Sequence, residues 1–263
     1  MTEIGTVREV WRYPVKSMRG ETMTEAFMGF SGFYGDRCAA YVRQGGKTGF
    51  PYLTASAQEQ MLRYQPVFRH PERAALPPHL AESAGMAPGL TPLNGDQDDL
   101  SMDIVTPSGE RFDPSDHALI AMLLQGIKGE TALRLVRSDR ALTDCRPVSL
   151  ISMHTIETVG SESGVPMDRR RFRANVYVDL AANRGFAEDE FVGRRIRIGR
   201  RGVVSVLERD PRCKILSLDP DTSVHSPEVL RSVAQSHSAF AGVYCAVLVE
   251  GIIANGDTLT LLD

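Results

Sequence analysis

The chain has 263 residues, 42% of them hydrophobic and 24% charged, which is the profile of an ordinary soluble protein able to bury one large core or two modest ones. Thirty Lys and Arg stand against 33 Asp and Glu, for a formal charge of −3, so no global field draws nucleic acid or an anionic membrane, and any anion site must be local. No stretch reaches the roughly 20 apolar residues that a membrane span needs, and residues 1–5 do not start a basic region followed by an apolar run, so a cytoplasmic location is expected.

Four cysteines, Cys38, Cys145, Cys213 and Cys245, form no C-x-x-C pair and no iron–sulfur spacing. They are expected as free thiols, with no iron–sulfur cluster in this chain. Cys245, inside an apolar run, is expected as a buried core thiol.

Residues 7–13 alternate apolar and charged, the period of a half-buried strand, and Pro14 ends it. The loop after it, 15–20, carries Lys16, Ser17 and Arg19 and reads either as a solvated turn or as part of a site. Residues 25–30 and 36–43 read as further strands around a glycine-rich connection, with Arg37 at the start of the second. Ser56 and Glu59 have the spacing of a capping box, predicting a short helix over 57–64. Residues 66–99 are rich in Pro, Gly and Ala without a sustained period and read as an irregular surface excursion.

Strand signals return over 101–106 and 110–112. Ser115 and Asp116 cap a helical stripe of Leu119, Ile120, Met122 and Leu123, expected as a seam between two domains, 1–114 and 115–263. A strand over 132–137 precedes Asp144, Cys145 and Arg146, and an apolar strand over 148–153 leads into a short helix. Four arginines, Arg169, Arg170, Arg171 and Arg173, crowd the entry to a strand over 176–180 and read equally as a solvated face or as an anion site, since guanidinium pairs bidentately with phosphate. Strands are expected at 191–193, 195–198 and 203–207, and Ser226 with Pro227 starts a helix running to about 235. Residues 242–249 and 252–262 are expected to close the chain as an antiparallel pair.

The stretch 208–214 sets Cys213 among Arg209, Arg212 and Lys214, with Asp-Pro turns on either side. A cysteine acts as nucleophile or metal ligand as thiolate, and these cations are expected to favour the charged form; a loop cysteine without a role is the alternative.

Taken together, Tyr13-Pro14-Val15-Lys16-Ser17, Asp36-Arg37, Phe172-Arg173-x-Asn175 and Arg212-Cys213 followed by Asp219-Pro220-Asp221-Thr222 resemble the MOSC superfamily, named for the molybdenum cofactor sulfurase C-terminal domain. The likeness covers nearly the whole chain and is strongest to the mitochondrial amidoxime-reducing component and to bacterial reductases of N-hydroxylated compounds. It implies a mainly β, α+β fold: an antiparallel β-barrel MOSC domain preceded by a smaller N-terminal β-barrel domain. It also implies a molybdenum–molybdopterin cofactor with Cys213 as thiolate ligand to the metal. Lys16, Ser17, Arg37, Arg173, Asn175 and Arg212 would then grip the pterin and its phosphate, with Tyr244, Cys145 and Arg146 beside the pocket and Asp144 as a proton source.

The implied reaction is reduction of N-hydroxylated or related N- or S-oxygenated small molecules by oxo transfer, with electrons from a separate ferredoxin- or flavin-type protein. A cofactor carrier without turnover, or a fold repurposed for molybdenum-independent chemistry, are the alternatives. The chain departs from the family pattern: Ala174 occupies the place of the family's usual proline, Ser223 that of its usual glycine, and Cys145 and Arg146 stand where the family more often has small or hydroxyl residues.

Overall fold

The computed structural model describes residues 1–83, 98–129 and 132–262. Its fold is α+β and mostly strands, seven of which close into a barrel. Around the ring these are Thr2–Arg12, Val176–Leu180, Val148–Ser152, Phe240–Val249, Gly202–Pro211, Arg195–Ile198 and Thr258–Leu262, which returns to Thr2–Arg12. All neighbours are antiparallel except Val148–Ser152 and Val176–Leu180. That parallel pair needs a crossover, which the helix Met153–Ser163 supplies.

The period-2 pattern fills this barrel. Val7, Val10, Val148, Leu150, Val176, Val178, Ile196, Ile198, Val204, Val206, Val243, Cys245 and Leu259 form one buried cluster, and each such aliphatic side chain contributes about 1.5–3 kcal/mol on burial. Gly5 sits beside a register shift in the first strand, where a Cβ would come 2.2 Å from the Asp179 carbonyl oxygen. On the outer face, Trp11, Tyr13, Ile151, Phe172 and Tyr177 pack with Ile156 and Val159 of Met153–Ser163 and with Val229 and Val233 of the helix Pro227–His237.

A second core gathers Val15, Met18, Tyr41, Leu53, Met61, Phe68, Met102 and Ile104. Around it, the expected smaller N-terminal barrel takes the form of three-stranded sheets: Leu133–Arg137, Ala39–Lys47 and Phe50–Tyr52 in one, Gln65–Phe68, Met102–Val105 and Arg111–Phe112 in another. The helix His117–Leu124, capped by Asp116 through the Ala118 N–H at 2.7 Å, buries Leu119 and Leu123 inside this second core.

Several local expectations are corrected. The Ser56–Glu59 capping box is not made: Glu59–Arg63 is a 3₁₀ turn with Gln58 at its N-cap and no side-chain cap, and the Glu59 carboxylate pairs with Lys214 instead. Ser226 likewise precedes Pro227–His237 without a side-chain cap bond. Phe191 ends the 3₁₀ turn Ala187–Phe191 rather than opening a strand. The C-terminal segments do not pair with each other: Gly251–Ala254 pairs with Glu25–Gly29, and Thr258–Leu262 closes the barrel. The excursion over 66–99 begins with the strand Gln65–Phe68 and the helix Pro71–Ala75; its residues 84–97 lie outside those described.

Candidate functional site

Alternation along two neighbouring barrel strands starts the site. Val148 and Leu150 point into the core, so Ser149 between them faces the other way; Val243 and Cys245 do the same for Tyr244, its direct cross-strand partner. Against this outer face converge the segment after the first strand, the loop 143–146, the approach to Val176–Leu180 and the turn after Gly202–Pro211. They line a cleft that is open to solvent.

Lys16, Ser17, Arg37, Asp144, Arg146, Arg173, Asn175, Arg212, Cys213 and Tyr244 all line it. The folding thus joins residues from nearly the whole length of the chain. Cys145 is not among the lining residues: its exposed Sγ faces Glu208 Oε1 at 4.0 Å, beside the Arg146–Glu208 ion pair at 2.7 Å.

Lys16 is almost fully buried, its Nζ donating to Asp144 Oδ1 and, at 2.8 Å, to the Leu142 carbonyl. Burial pushes its pKa down; Asp144 opposes this, while Arg37 and Arg173 reinforce it. Arg37 donates to Asp36 at 2.6 Å and to the Arg173 carbonyl at 3.1 Å. Burial works against its charge, but Asp36 outweighs burial and the pKa rises. Arg173 donates to the Met18 carbonyl at 2.8 Å and is pushed down by burial. Arg37 and Arg173 both lie over the Tyr13 ring, 4.7 and 4.4 Å from its centroid. Three cations so desolvated and so close attract an anion far more strongly than they would in water.

Ser17, Arg37 and Arg173 also have left-handed backbones, with φ of 67°, 43° and 53°. For residues with side chains this costs about 1–3 kcal/mol each and clusters at ligand sites. Arg212 is clamped by the Phe172 and Ala241 carbonyls and by Asp210. It fits because Gly242, at φ 79°, has no Cβ, which would lie 3.1 Å from Arg212 Nη2.

Asn175 turns its amide to the barrel: Oδ1 accepts from Ser149 N at 3.2 Å and Arg37 at 3.4 Å, and Nδ2 donates to the Trp11 carbonyl. Its part is to position Arg37. Tyr244 is hydrogen-bonded to Asp210, and burial, then the Asp210 charge, pushes its hydroxyl well up.

Cys213, exposed, precedes the 3₁₀ turn Lys214–Ser217 in an extended conformation. The cations flanking it in sequence are occupied elsewhere, correcting the expectation that they serve the thiol: Lys214 pairs with Glu59 at 2.6 Å, Arg209 lies over Phe240, and Arg212 pairs with Asp210. Among the described residues no three His, Cys, Asp or Glu side chains are grouped to hold a metal ion by themselves. A metal here would take its thiolate from Cys213 and its remaining ligands from the molecule that carries it.

Sequence reasoning missed Ser149 and Asp210, and did not single Arg171 out from its run. Asp210 read as a turn former; it is a buried acid bonded to Ser149 Oγ at 3.0 Å. Arg171 was one of a run, yet it lines the cleft with only 6% exposure, and its Nε and Nη1 have no partner among the described residues. Three desolvated cations, Lys16, Arg37 and Arg173, lining one cleft with a thiol are the donor chemistry of a phosphorylated, sulfur-ligated metal cofactor. The residues present fit the group that the resemblance implies.

The model of the MOSC domain matches residues 137–260. A search of curated proteins returned no match. Among solved structures, the YuaD protein from Bacillus subtilis aligns at 12% identity over 97% of this chain and 94% of that one, with a TM-score of 0.47. YiiM from Geobacillus stearothermophilus aligns at 20% identity over 49% and 67%, with a TM-score of 0.37. YiiM from Escherichia coli does so at 15% over 45% and 55%, with a TM-score of 0.34. Residues 137–260, which hold five of the seven barrel strands whole and most of a sixth, are a MOSC domain.

Proposed function

We propose that the chain is a molybdenum-cofactor-dependent oxidoreductase that reduces N-hydroxylated or related N- or S-oxygenated small molecules. The observation carrying this reading is the convergence of Lys16, Ser17, Arg37, Arg173 and Arg212 on one cleft with Cys213. When bound, the cofactor supplies a two-electron metal centre that accepts the substrate's oxygen.

Cys213 offers the thiolate to the metal. Lys16, Arg37 and Arg173 hold the phosphate and pterin, each kept in place by Asp144, Asp36 or the Met18 carbonyl. Arg212, fixed by Asp210, adds a further cation to the lining. Reducing an N-hydroxyl group takes two electrons and two protons and releases water. Asp144, at the rim with its side chain 54% exposed, is placed to exchange protons with solvent, and because Oδ1 accepts from Lys16, proton delivery falls to Oδ2. Electrons arrive from a separate ferredoxin- or flavin-type protein. The exposed thiol at a cleft continuous with solvent favours turnover over a carrier that covers its cargo.

The test is reduction of an amidoxime and of an S-oxide by cofactor-loaded protein supplied with electrons from a reduced viologen dye. Turnover that Cys213→Ser abolishes is expected; loaded protein that reduces neither compound overturns this reaction class.

A further inference from the structure

The four arginines of the run before Val176–Leu180 have different fates. Arg169 pairs with Glu9 at 2.7 Å, Arg170 is gripped by Asp168 and Asp221 at 2.6 and 2.5 Å, and Arg173 serves the main cleft. Among the described residues Arg171 makes an ion pair only with Asp219, at 3.5 Å through Nη2. Its Nε and Nη1 are buried without a partner, although the side chain is 4% exposed. Burying a charged group without hydrogen-bond partners is strongly unfavourable, so such a group calls for a ligand.

A second orphan lies nearby. Arg19 donates through Nη2 to Asp221 at 2.7 Å, but its Nε is buried and unpartnered. Three of the eight buried side-chain polar atoms without a partner among the described residues therefore belong to these two arginines. Both line one small chamber, together with Arg170, Arg173, Trp11 and Tyr13. This chamber shares Arg171, Arg173 and Ile215 with the main cleft, so Arg171 stands in the wall between the two.

We infer that Arg171 and Arg19 form a second anion subsite, which takes a phosphoryl group in this side chamber next to the main cleft. Asp221 backs Arg19 and Asp219 backs Arg171, while Asp168 holds Arg170; Asp219 Oδ1 accepts from Thr222 and from the Asp221 N–H, so Arg171 meets only Oδ2, at 3.5 Å. The incoming oxygens take the Nε and Nη1 donors of Arg171 and the Nε donor of Arg19 with a small movement of the two side chains. The site is independent of the proposed reductase reading and needs no molybdenum, because the donors belong to the chain alone. The phosphoryl group comes either from free phosphate or from a ligand carrying a second phosphate and spanning both chambers.

The experiment is calorimetric titration of the purified chain, in phosphate-free buffer, with inorganic phosphate and separately with pyrophosphate, comparing wild type, R171M and the surface control R8M. Arg8 is exposed and remote from the chamber linings. R171M is expected to bind about 10- to 100-fold more weakly, the loss of two or more charge-assisted bonds, while R8M binds as wild type. Pyrophosphate binding more tightly than phosphate identifies the spanning ligand, and equal binding identifies free phosphate. In parallel, the Arg171 Nε–H resonance of ¹⁵N-labelled wild type, assigned by its loss in R171K, should shift on titration; this serves if R171M does not fold. Undiminished affinity in R171M, no binding of either anion to wild type, or an Nε–H resonance that does not move overturns the inference.

Discussion

Asp210 and Arg212 form an ion pair at 2.7 Å with side chains only 3% and 8% exposed, directly before Cys213 in the chain. The energetics of such a pair show mainly when one partner is removed and the other is left buried. Asp210→Ala leaves a buried guanidinium without its counter-charge and is expected to cost about 3 kcal/mol or more. Asp210→Ala with Arg212→Met together should cost less than the sum of the single changes. Urea unfolding of the four proteins checks this, and strict additivity contradicts it.

The thiols divide by burial. Burial pushes both Cys38 and Cys245 up to about 12, whereas Cys145 and Cys213 are exposed. A thiol reagent applied to native protein should modify Cys145 and Cys213 and reach the other two only on unfolding. The same burial makes stability depend on pH. The folded pKa lies above the unfolded value of 9.0, so between pH 9 and about 12 the folded chain holds protons that the unfolded chain has lost. Stability therefore falls as pH rises through that window, by up to about 1.4 kcal/mol per pH unit for each thiol. Unfolding midpoints of wild type and Cys245→Ala across the window test it, with a shallower slope expected for the variant.

Ser223, at the place of the family's usual glycine, keeps the left-handed backbone at φ 61° and donates its hydroxyl to the Glu59 carbonyl at 2.9 Å. Ser223→Ala loses the bond and retains the strain; Ser223→Gly loses the bond and relieves it. The alanine variant should be the less stable of the two by about 1 kcal/mol in thermal or urea unfolding.

Alanine in place of the family's proline has a different physical reason. The Ala174 N–H donates to Tyr177 Oη at 3.2 Å, a bond proline cannot make. Proline would also disfavour the left-handed conformation of Arg173 before it. Ala174→Pro is expected to destabilise by about 2–3 kcal/mol and to weaken anion binding in the cleft, measured by unfolding and by phosphate titration.

What could be read from sequence was the strand content and a set of scattered residues that the fold brings to one cleft, because Val and Ile at period 2 mark the barrel walls and short motifs mark Lys16, Arg37, Arg173 and Cys213. Pairing partners could not be read, since alternation says which face is inward but not which strand lies alongside; hence the chain's last segments were expected to pair with each other rather than with Glu25–Gly29 and Thr2–Arg12. Nor could the four arginines be told apart, because Glu9, Asp168 and Asp221 choose among them only after folding. The same holds for the cations around Cys213: adjacency in sequence aims Lys214 at the thiol, while the fold aims it at Glu59. Cys145 behaves likewise, next to Asp144 in the chain and turned to Glu208 in space.

The most direct test of the central claim is molybdenum content by elemental analysis, together with pterin fluorescence after oxidation, on protein purified from a molybdate-supplied host. Wild type should carry close to one molybdenum and one pterin per chain. Cys213→Ser should alter metal retention or the electronic spectrum, and a Lys16→Met, Arg37→Met variant should lose the pterin. Wild type without molybdenum or pterin, from a host in which another MOSC protein loads fully, would contradict the claim.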